Sequence, residues 1–405
     1  MSEAKRRVLY AGAVHDQAEI DAVVRVLQGT GQDLKIGPNV AELERQVAAH
    51  FGKRLGLMVN SGSSALFMAV ELLDLPKGSE VITSPLTFST DLSPLVRAGL
   101  VPVFVDVEYD TFNLDADRIE EMVTPQTRAI LAPNLAGNCP DWDKIRAVAD
   151  RHGLKVIEDS CDALGPVLRG TPTGTRSDIS ATSFAMSHII TCAGNGGMVL
   201  LDDEALRDRG TLLRRWGRRS ELITYGSQKG TRMLREDVDG VPYDSLFIFD
   251  EMGWNFEPSE LGAAYGLEQL KKVETFKARR RRTFELYTEM CEKHSDVFVT
   301  PRTLDGLDTV WMVCLTMVRP ESGIKRPDLQ EFLEGRGIDT RTVWTGNAAR
   351  QPFMKNAQFR VPEDGLPNAA RVMEYGMLVS CNQALSDDDV DYVTGHIEDF
   401  VRSVR

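Results

Sequence analysis

Long apolar segments are scarce in this chain of 405 residues. No apolar run approaches the ~18 residues that a membrane-spanning helix requires, so the sequence predicts no membrane span. The opening residues, MSEAKRRVLYAG, contain neither a long apolar core nor a small-residue cleavage site, so no secretory signal is predicted. We therefore expect a cytoplasmic protein with no membrane partner.

Basic residues are outnumbered, with 47 lysines and arginines against 60 aspartates and glutamates and a formal net charge of -13. A surface that binds nucleic acid needs an excess of positive charge, so we expect no nucleic-acid partner. One basic run, LKKVETFKARRRR at 270–282, has helical character. Its charge pattern favours a solvated helix face over a binding surface.

Closely spaced cysteines are also missing. Because no CxxC pair occurs, neither a zinc site nor a disulfide framework is predicted for the six cysteines, which are Cys139, Cys161, Cys192, Cys291, Cys314 and Cys381. They are expected to be reduced and mostly buried, as in a cytoplasmic protein. We interpret Cys192 as a small packing residue rather than a nucleophile, and we predict no metal site.

The sequence does contain an alternation of apolar strands and helices, which is typical of a mainly parallel sheet covered on both faces. A chain of this length has room for about two or three domains. We predict an N-terminal arm and helix at 1–35 and a large α/β domain at 36–273. A linking helix and a smaller C-terminal α+β domain are predicted at 274–405, and a long polar loop at 219–250.

A short strand, a serine-rich turn and a helix are predicted in succession at 57–59, 61–64 and 65–73. Backbone N–H groups at a helix N-terminus and nearby serine hydroxyls can hold a phosphate. A serine that only caps the helix explains the same pattern. Phosphate binding is therefore one of two interpretations of this segment.

Polar residues follow two predicted strands that should end at the same edge of the sheet. Glu158 and Asp159 end the run LKVIED, and His188 lies in the loop of the segment at 178–201. Open α/β sheets bind ligands at this edge, so Asp159 and His188 are predicted to face one cofactor. A carboxylate placed in this way can hold the ring nitrogen of pyridoxal phosphate (PLP). A buried ion pair or a pair of metal ligands fits the same spacing.

Eight segments resemble one protein family, namely NSGSSAL, SPLTFST, VDVEYDTFNLD, PNLAGN, VIEDSCDALG, GTRSDISATSFAMSHIITCAGNGGMVLLDD, GWNFEPSELGAAYGLEQLKK and RTVWTGN. Together they are similar to the nucleotide-sugar aminotransferases, which are PLP enzymes of fold type I, from about residue 10 to the C-terminus. The resemblance implies an α/β, aspartate-aminotransferase-like fold. Most members carry a PLP-bonded lysine in the loop after TSF, where this sequence has His188. That exchange resembles the branch of 3-dehydratases acting on nucleotide-linked 4-keto-6-deoxyhexoses.

The resemblance also implies a reaction. Without the lysine, PLP is not held covalently, and L-glutamate converts it to pyridoxamine phosphate (PMP), whose amine condenses with the C4 ketone of the sugar. Loss of the C3 hydroxyl and hydrolysis then release ammonia and a 3-deoxy-4-keto sugar. His188 is expected to move the protons, and histidine suits this role because its usual pKa lies near neutrality.

The resemblance also implies that five residues of this sequence bind the cofactor. Gly62, Ser63 and Ser183 match positions that bind the phosphate. Phe88 matches the aromatic residue that stacks on the ring, although a lone aromatic residue at a strand end is more often part of a core. Asp159 matches the partner of the ring nitrogen.

Four other positions carry roles by the same resemblance. Asp162 stands where the dehydratases have glutamate and aminotransferases have glutamine, and its side chain is one methylene shorter than that glutamate. Asn255 matches an asparagine that a second subunit contributes to the phosphate, which implies a homodimer. Arg341 and Asn347 lie in the segment that resembles the side of the site for the substrate or the glutamate carboxylate.

Three other classes of protein stand beside this branch, and the first of them is not predicted. A related branch carries an iron–sulfur cluster on cysteines in the loop at 219–250, but that loop has no cysteine, so neither a cluster nor a reductase partner is expected. The sequence CAGNGG after His188, together with Asp162, leaves room for a PLP or PMP enzyme acting on a different keto substrate. A non-catalytic homologue is the third, although the retained phosphate turn, Asp159 and Asn255 argue against it.

Overall fold

The computed structural model describes residues 6–29, 34–229 and 235–405. Its α-helices are α1 (Gln17–Gln28), α2 (Pro38–His50), α3 (Gly62–Leu73), α4 (Ser89–Arg97), α5 (Trp142–His152), α6 (Glu204–Arg214), α7 (Ser220–Thr224), α8 (Glu260–Lys271), α9 (Val273–Lys293), α10 (Arg326–Glu334), α11 (Pro367–Tyr375) and α12 (Asp387–Ser403).

The strands alternate with these helices through the first half of the chain and are shorter in the second half. They are β1 (Leu55–Val59), β2 (Glu80–Thr83), β3 (Val101–Phe104), β4 (Thr127–Pro133), β5 (Lys155–Asp159), β6 (Val167–Leu168), β7 (Thr171–Pro172), β8 (Ile179–Ser183), β9 (Gly197–Leu201), β10 (Glu236–Val238), β11 (Val241–Tyr243), β12 (Phe298–Val299), β13 (Leu307–Asp308), β14 (Val313–Val318), β15 (Thr340–Arg341) and β16 (Gly376–Ser380).

Seven strands form the central sheet in the order β1-β9-β8-β5-β4-β2-β3. The neighbouring pairs from β8 to β3 are parallel, and β9 runs antiparallel to both β8 and β1. Its strands are almost entirely buried, because helices cover both faces and leave few positions for polar side chains. The carboxyl ends of the parallel strands therefore meet at one edge, as predicted.

A second, antiparallel sheet has the order β12-β14-β16-β15 and packs with α9, α10 and α12 around a core of its own. The N-terminal segment reaches it, because Val8 forms a bridge with Ile338. The α/β fold with a mainly parallel central sheet is confirmed. The proposed domain boundaries at 35 and 273 stay predictions. None of the described helices is both long and apolar enough to cross a membrane.

Two local predictions were wrong. Helix α3 begins at Gly62 rather than at 65, because the side chain of Ser61 accepts a hydrogen bond from the Ser64 backbone N–H and caps the helix there. The segment at 219–250 is not a plain loop, because it contains α7 and the β10–β11 hairpin. Residues 230–234 of that segment lie outside the described ranges, as do 1–5 and 30–33 of the predicted N-terminal arm.

Candidate active site

A cavity of about 360 Å³ lies at the carboxyl edge of the central sheet. It receives side chains from the ends of β4, β5 and β8, from the N-terminus of α3 and from the loop after β8. Seven residues singled out from the sequence line it: Gly62, Ser63, Phe88, Asp159, Asp162, Ser183 and His188. Residues separated by more than 120 positions in the chain thus share one cavity.

The N-terminus of α3 forms one wall of the cavity. The Ser61 side chain accepts from the Ser64 backbone N–H at 3.1 Å, so capping does occur, and the two hydroxyls lie 3.0 Å apart. Gly62 faces β8 so closely that a Cβ there would stand 2.5 Å from the Cβ of Ser183 and 2.9 Å from its hydroxyl. A backbone that approaches a hydroxyl at a helix N-terminus offers an anion its free N–H groups.

Asp159 is the last residue of β5 and is 7% exposed. Its Oδ1 accepts from the Cys161 backbone N–H at 3.0 Å. Burial raises the pKa of Asp159, while the hydrogen bonds from Cys161 oppose that rise. A carboxylate held in this way is primed to accept a cationic N–H from a ligand, because pairing offsets the cost of burying its charge.

Asp162 follows the same strand end, and its Oδ2 accepts from the Ala136 backbone N–H at 3.1 Å. Burial, reinforced by the negative charge of Asp159, raises its pKa to about 7. One carboxylate oxygen of Asp162 is therefore committed to the main chain. Its predicted hydrogen bond to a cofactor oxygen stays a prediction.

His188 sits in a compact loop between β8 and β9. The loop is closed by hydrogen bonds from the Phe184 N–H to the Gly196 carbonyl at 2.9 Å and from the Cys192 N–H to the Phe184 carbonyl at 3.1 Å. Nδ1 of His188 is buried and has no hydrogen-bond partner in the described part of the chain. Burial lowers the pKa of His188 to about 4, opposed by a backbone hydrogen bond at Cys161 and reinforced by the charge of Arg280. A neutral imidazole with a free nitrogen can accept a proton.

Arg280 lies beneath this loop and is 1% exposed. Its guanidinium donates to the carbonyls of Trp311 at 2.8 Å, Met312 at 2.9 Å and His188 at 3.4 Å. Burial lowers its pKa to about 10. The solvated-face prediction for 270–282 is therefore wrong at this position, because α9 is amphipathic and turns Arg280 inward together with Phe276.

Sequence reasoning missed several residues of the cavity, including Tyr10, Thr87, Asn195, Met312 and Trp344. Burial raises the pKa of Tyr10 to about 12. Trp344 belongs to the segment RTVWTGN, so that motif was the signal that could have found it. Tyr10 and Met312 had no such signal, because each reaches the cavity from a part of the chain that carries no polar motif.

Three predicted residues do not line the cavity. The Arg341 guanidinium stands 5.3 Å from the ring centre of Tyr10, at the border of the cavity. Asn347 is buried, and its side-chain oxygen accepts from the Ala349 N–H, which makes it a local cap. Asn255 is exposed on the surface. Their predicted roles stay predictions.

The part of the chain that the structure describes contains no candidate metal site. Across the residues that the structure describes, no group of three or more histidine, cysteine, aspartate or glutamate side chains is arranged to hold an ion. The described cysteines are all free, and Cys161 is the one among them that is not fully buried. Cys192 is packed against Gly262 and Gly266 of α8, in line with its interpretation as a packing residue.

Acid should destabilise the cofactor-free protein through His188. Its pKa is about 4 in the folded chain against a usual 6.5, so the unfolded chain binds the extra proton between these values. Stability from this group is complete above pH 6.5 and is lost as pH falls, by roughly 2 kcal/mol between pH 7 and pH 5. His188→Asn should remove that loss when urea unfolding is compared at the two pH values.

Asp162 provides a control of opposite sign. Its pKa rises from 3.8 to about 7 on folding, so the folded chain binds more protons in this window and stability falls as pH rises through it. Asp162→Asn should therefore leave the protein more acid-sensitive, whereas His188→Asn leaves it less so. Parallel shifts in the two variants would contradict the assigned protonation states.

Comparison with known proteins places this site in a family. A model of the DegT/DnrJ/EryC1/StrS aminotransferase family matches residues 14–398. The chain is 35% identical over 401 residues to the dTDP-4-dehydro-2,6-dideoxy-D-glucose 3-dehydratase of Saccharopolyspora spinosa, covering 96% of this chain and 86% of that protein. It is 30% identical over 354 residues to the GDP-4-keto-6-deoxy-D-mannose 3-dehydratase of Yersinia pseudotuberculosis, covering 86% of each.

Solved structures agree with the sequence comparison. A crystal structure of GDP-4-keto-6-deoxymannose-3-dehydratase with a trapped PLP-glutamate geminal diamine superposes with a TM-score of 0.87 at 28% identity, over 96% of this chain and 100% of that one. The resemblance deduced from the eight segments is thereby confirmed. The match at 14–398 includes both sheets and every cavity residue except Tyr10, and the chain belongs to the DegT/DnrJ/EryC1/StrS aminotransferase family.

Proposed function

We propose that this protein is a PMP-dependent lyase that removes the C3 hydroxyl of a nucleotide-linked 4-keto-6-deoxyhexose, with L-glutamate as amino donor and ammonia as co-product. The observation that carries this proposal is His188, which lines one cavity with Asp159 and the N-terminus of α3 and whose buried Nδ1 has no hydrogen-bond partner among the described residues. No lysine lines that cavity among the described residues, so the site has an acid–base group and lacks a covalent tether.

The residues of the cavity fit PLP and PMP. The N-terminus of α3, with Gly62 and Ser183 in contact across it, suits the phosphate. Asp159 can hold the ring nitrogen, and Phe88 is 54% exposed, which leaves an aromatic surface for a planar ring. When bound, PMP supplies the amine that condenses with the sugar ketone and an electron sink for cleavage at C3.

The protein's contribution is to move protons and to hold the reactants. With PMP bound, neutral His188 would take the proton that leaves the C4′ carbon of the cofactor and would give it to the departing C3 hydroxyl, which leaves as water. Burial keeps this imidazole neutral, as a base requires. Arg280 donates to the His188 carbonyl and to two neighbouring carbonyls, and so fixes the backbone from which the imidazole acts.

A homodimer is part of the proposal. Exposed apolar side chains cluster just before Asn255, including Val241, Phe247, Phe249 and Met252, the last of them 95% exposed. Such a patch is unusual on a monomer and supports burial against a second copy. Asn255 then reaches the phosphate of the partner subunit, while Arg341 and Asn347 are assigned to the substrate side.

A product assay tests the function. PLP, glutamate and a panel of GDP-, CDP- and dTDP-linked 4-keto-6-deoxyhexoses are supplied, 2-oxoglutarate and ammonia are quantified, and the sugar is examined by NMR. Equal amounts of 2-oxoglutarate and ammonia, with loss of the C3 hydroxyl, are expected. Nitrogen retained on the sugar would indicate an aminotransferase, and no turnover despite PMP formation would favour a different keto substrate.

The phosphate turn gives a sharp prediction. Gly62→Ala should weaken PLP binding by at least about tenfold, because one hydrogen bond to a charged group is worth roughly 1.5–3 kcal/mol. The new methyl group would stand 2.5 Å from the Cβ of Ser183, which forces α3 and β8 apart and removes such a hydrogen bond to the phosphate. PLP affinity is measured by fluorescence quenching.

The matched control is Gly395→Ala in α12. A Cβ at Gly395 meets no atom within 4 Å, so this variant should keep PLP affinity and should gain up to about 1 kcal/mol in stability. Equal PLP affinity in Gly62→Ala and the wild type would contradict the assignment of the phosphate to this turn.

A further inference from the structure

Asp91 is a buried acid that the mechanism above does not use. It lies in α4 and is 0% exposed. The Thr87 hydroxyl donates a hydrogen bond to its Oδ2. Its Oδ1 is also buried, and no N–H or O–H group of the described residues donates a hydrogen bond to it. A buried carboxylate oxygen without a donor is costly, so this oxygen requires an explanation.

The groups that face Asp91 are themselves acids. Its side chain is within hydrogen-bonding reach of Asp159, and the negative charge of Asp162 also acts on it. Cys161 is also titratable and lies nearby, but it donates its hydrogen bonds to Asp159 and not to Asp91. Two carboxylates in contact cannot both stay ionised in a buried place, because like charges repel strongly there. Burial first, and then the charge of Asp159, raises the pKa of Asp91 well above its usual range.

We propose that Asp91 is a positioning residue that carries a proton on Oδ1 and donates it in a hydrogen bond to Asp159. The orphaned oxygen is then satisfied, and Thr87 supplies the donor for the other oxygen. The pair holds one negative charge, which sits on Asp159 and faces the cavity. This inference rests on the proposed function in one respect, the role of Asp159 as partner of the ring nitrogen.

The hydrogen bond has a chemical consequence for that role. When Asp159 accepts a hydrogen bond from Asp91, its carboxylate is less basic. It therefore leaves the proton of the ring nitrogen on PLP or PMP instead of removing it. The network also continues to the segment RTVWTGN, because the Thr345 hydroxyl donates to the Thr87 carbonyl at 2.7 Å and accepts from the Thr87 N–H at 3.2 Å. The loop that contains Thr345 therefore holds Thr87, which in turn donates a hydrogen bond to Asp91.

Infrared difference spectroscopy of the cofactor-free protein at pH 7 tests the shared proton without any turnover. Wild type minus Asp91→Asn should show the loss of one carbonyl band of a protonated carboxyl group. Asp106→Asn is the matched control, since both oxygens of this buried aspartate accept from backbone N–H groups of Asn368 and Ala369 and need no proton. Loss of a carboxylate band, instead of a protonated band, in Asp91→Asn would overturn the proposal.

The positioning role is tested with ¹⁵N-labelled PLP. Asp91→Asn keeps a donor toward Asp159 and an acceptor for Thr87, so the ring nitrogen should keep the chemical shift of a protonated pyridine. Asp91→Leu removes both, and the shift should move toward that of a neutral pyridine, with kcat lowered more than KM is raised. An unchanged shift in Asp91→Leu overturns the role. If the infrared band is lost in Asp91→Asn and the wild-type protein binds no PLP, the proton between Asp91 and Asp159 is supported and the proposed function is refuted.

Discussion

His188→Lys is expected to abolish dehydration and to leave PLP covalently bound. The lysine would replace the proton-transfer group, whose contribution to such a reaction is typically about 10²–10⁴-fold. It would also place a primary amine at the cavity that His188 lines. The measurements are ammonia release with the preferred sugar, and the protein mass after borohydride reduction, which should rise by one reduced cofactor.

The matched control is Met186→Lys. Met186 belongs to the same loop but is 52% exposed and does not line the cavity. A lysine there should leave both ammonia release and the mass after reduction unchanged. Full dehydration activity in His188→Lys would contradict the proton-transfer role of His188. Covalent PLP in Met186→Lys would show that a lysine elsewhere in the loop can also bond the cofactor.

Asp159→Ala is expected to have the second large effect. Removing one partner of a buried ion pair costs about 3–5 kcal/mol, which corresponds to a loss of PLP affinity or of kcat/KM of roughly 150-fold to 5,000-fold. The carboxylate is available for this pairing because it ends β5 at the cavity and is held by Cys161. Equilibrium binding of PLP and kcat/KM with the preferred sugar are the measurements.

Glu158→Gln separates this effect from general damage to the strand. Glu158 is the preceding residue of β5, and its carboxylate accepts from Asn134 at 2.7 Å, Thr173 at 2.5 Å and Ser180 at 2.7 Å, away from the cavity. Its replacement should lower the melting temperature while PLP affinity stays close to wild type. Equal losses of PLP affinity in the two variants would mean that Asp159 acts only through the fold.

The sequence predicted those parts of the site that depend on local order. Asp159 ends an apolar strand, and Gly62 lies in the turn that was predicted to follow one, so each is placed by the geometry of its own strand. Because parallel strands end at one edge, these residues had to converge with the loop that carries His188. The family resemblance then specified chemistry that spacing alone left open between a cofactor site, an ion pair and metal ligands.

Only the tertiary structure decided which side chains turn inward from distant segments. Arg280 looked like one more charge on a basic helix, yet the packing of α9 buries it beneath the His188 loop. Tyr10 reaches the cavity from the N-terminal segment. Asp91, in α4, lies close enough to Asp159 for the two acids to act on each other, although they are 68 positions apart in the chain. Local sequence fixes which residues a strand or helix presents, whereas burial and long-range packing determine whether a charge meets water, a carbonyl or another acid.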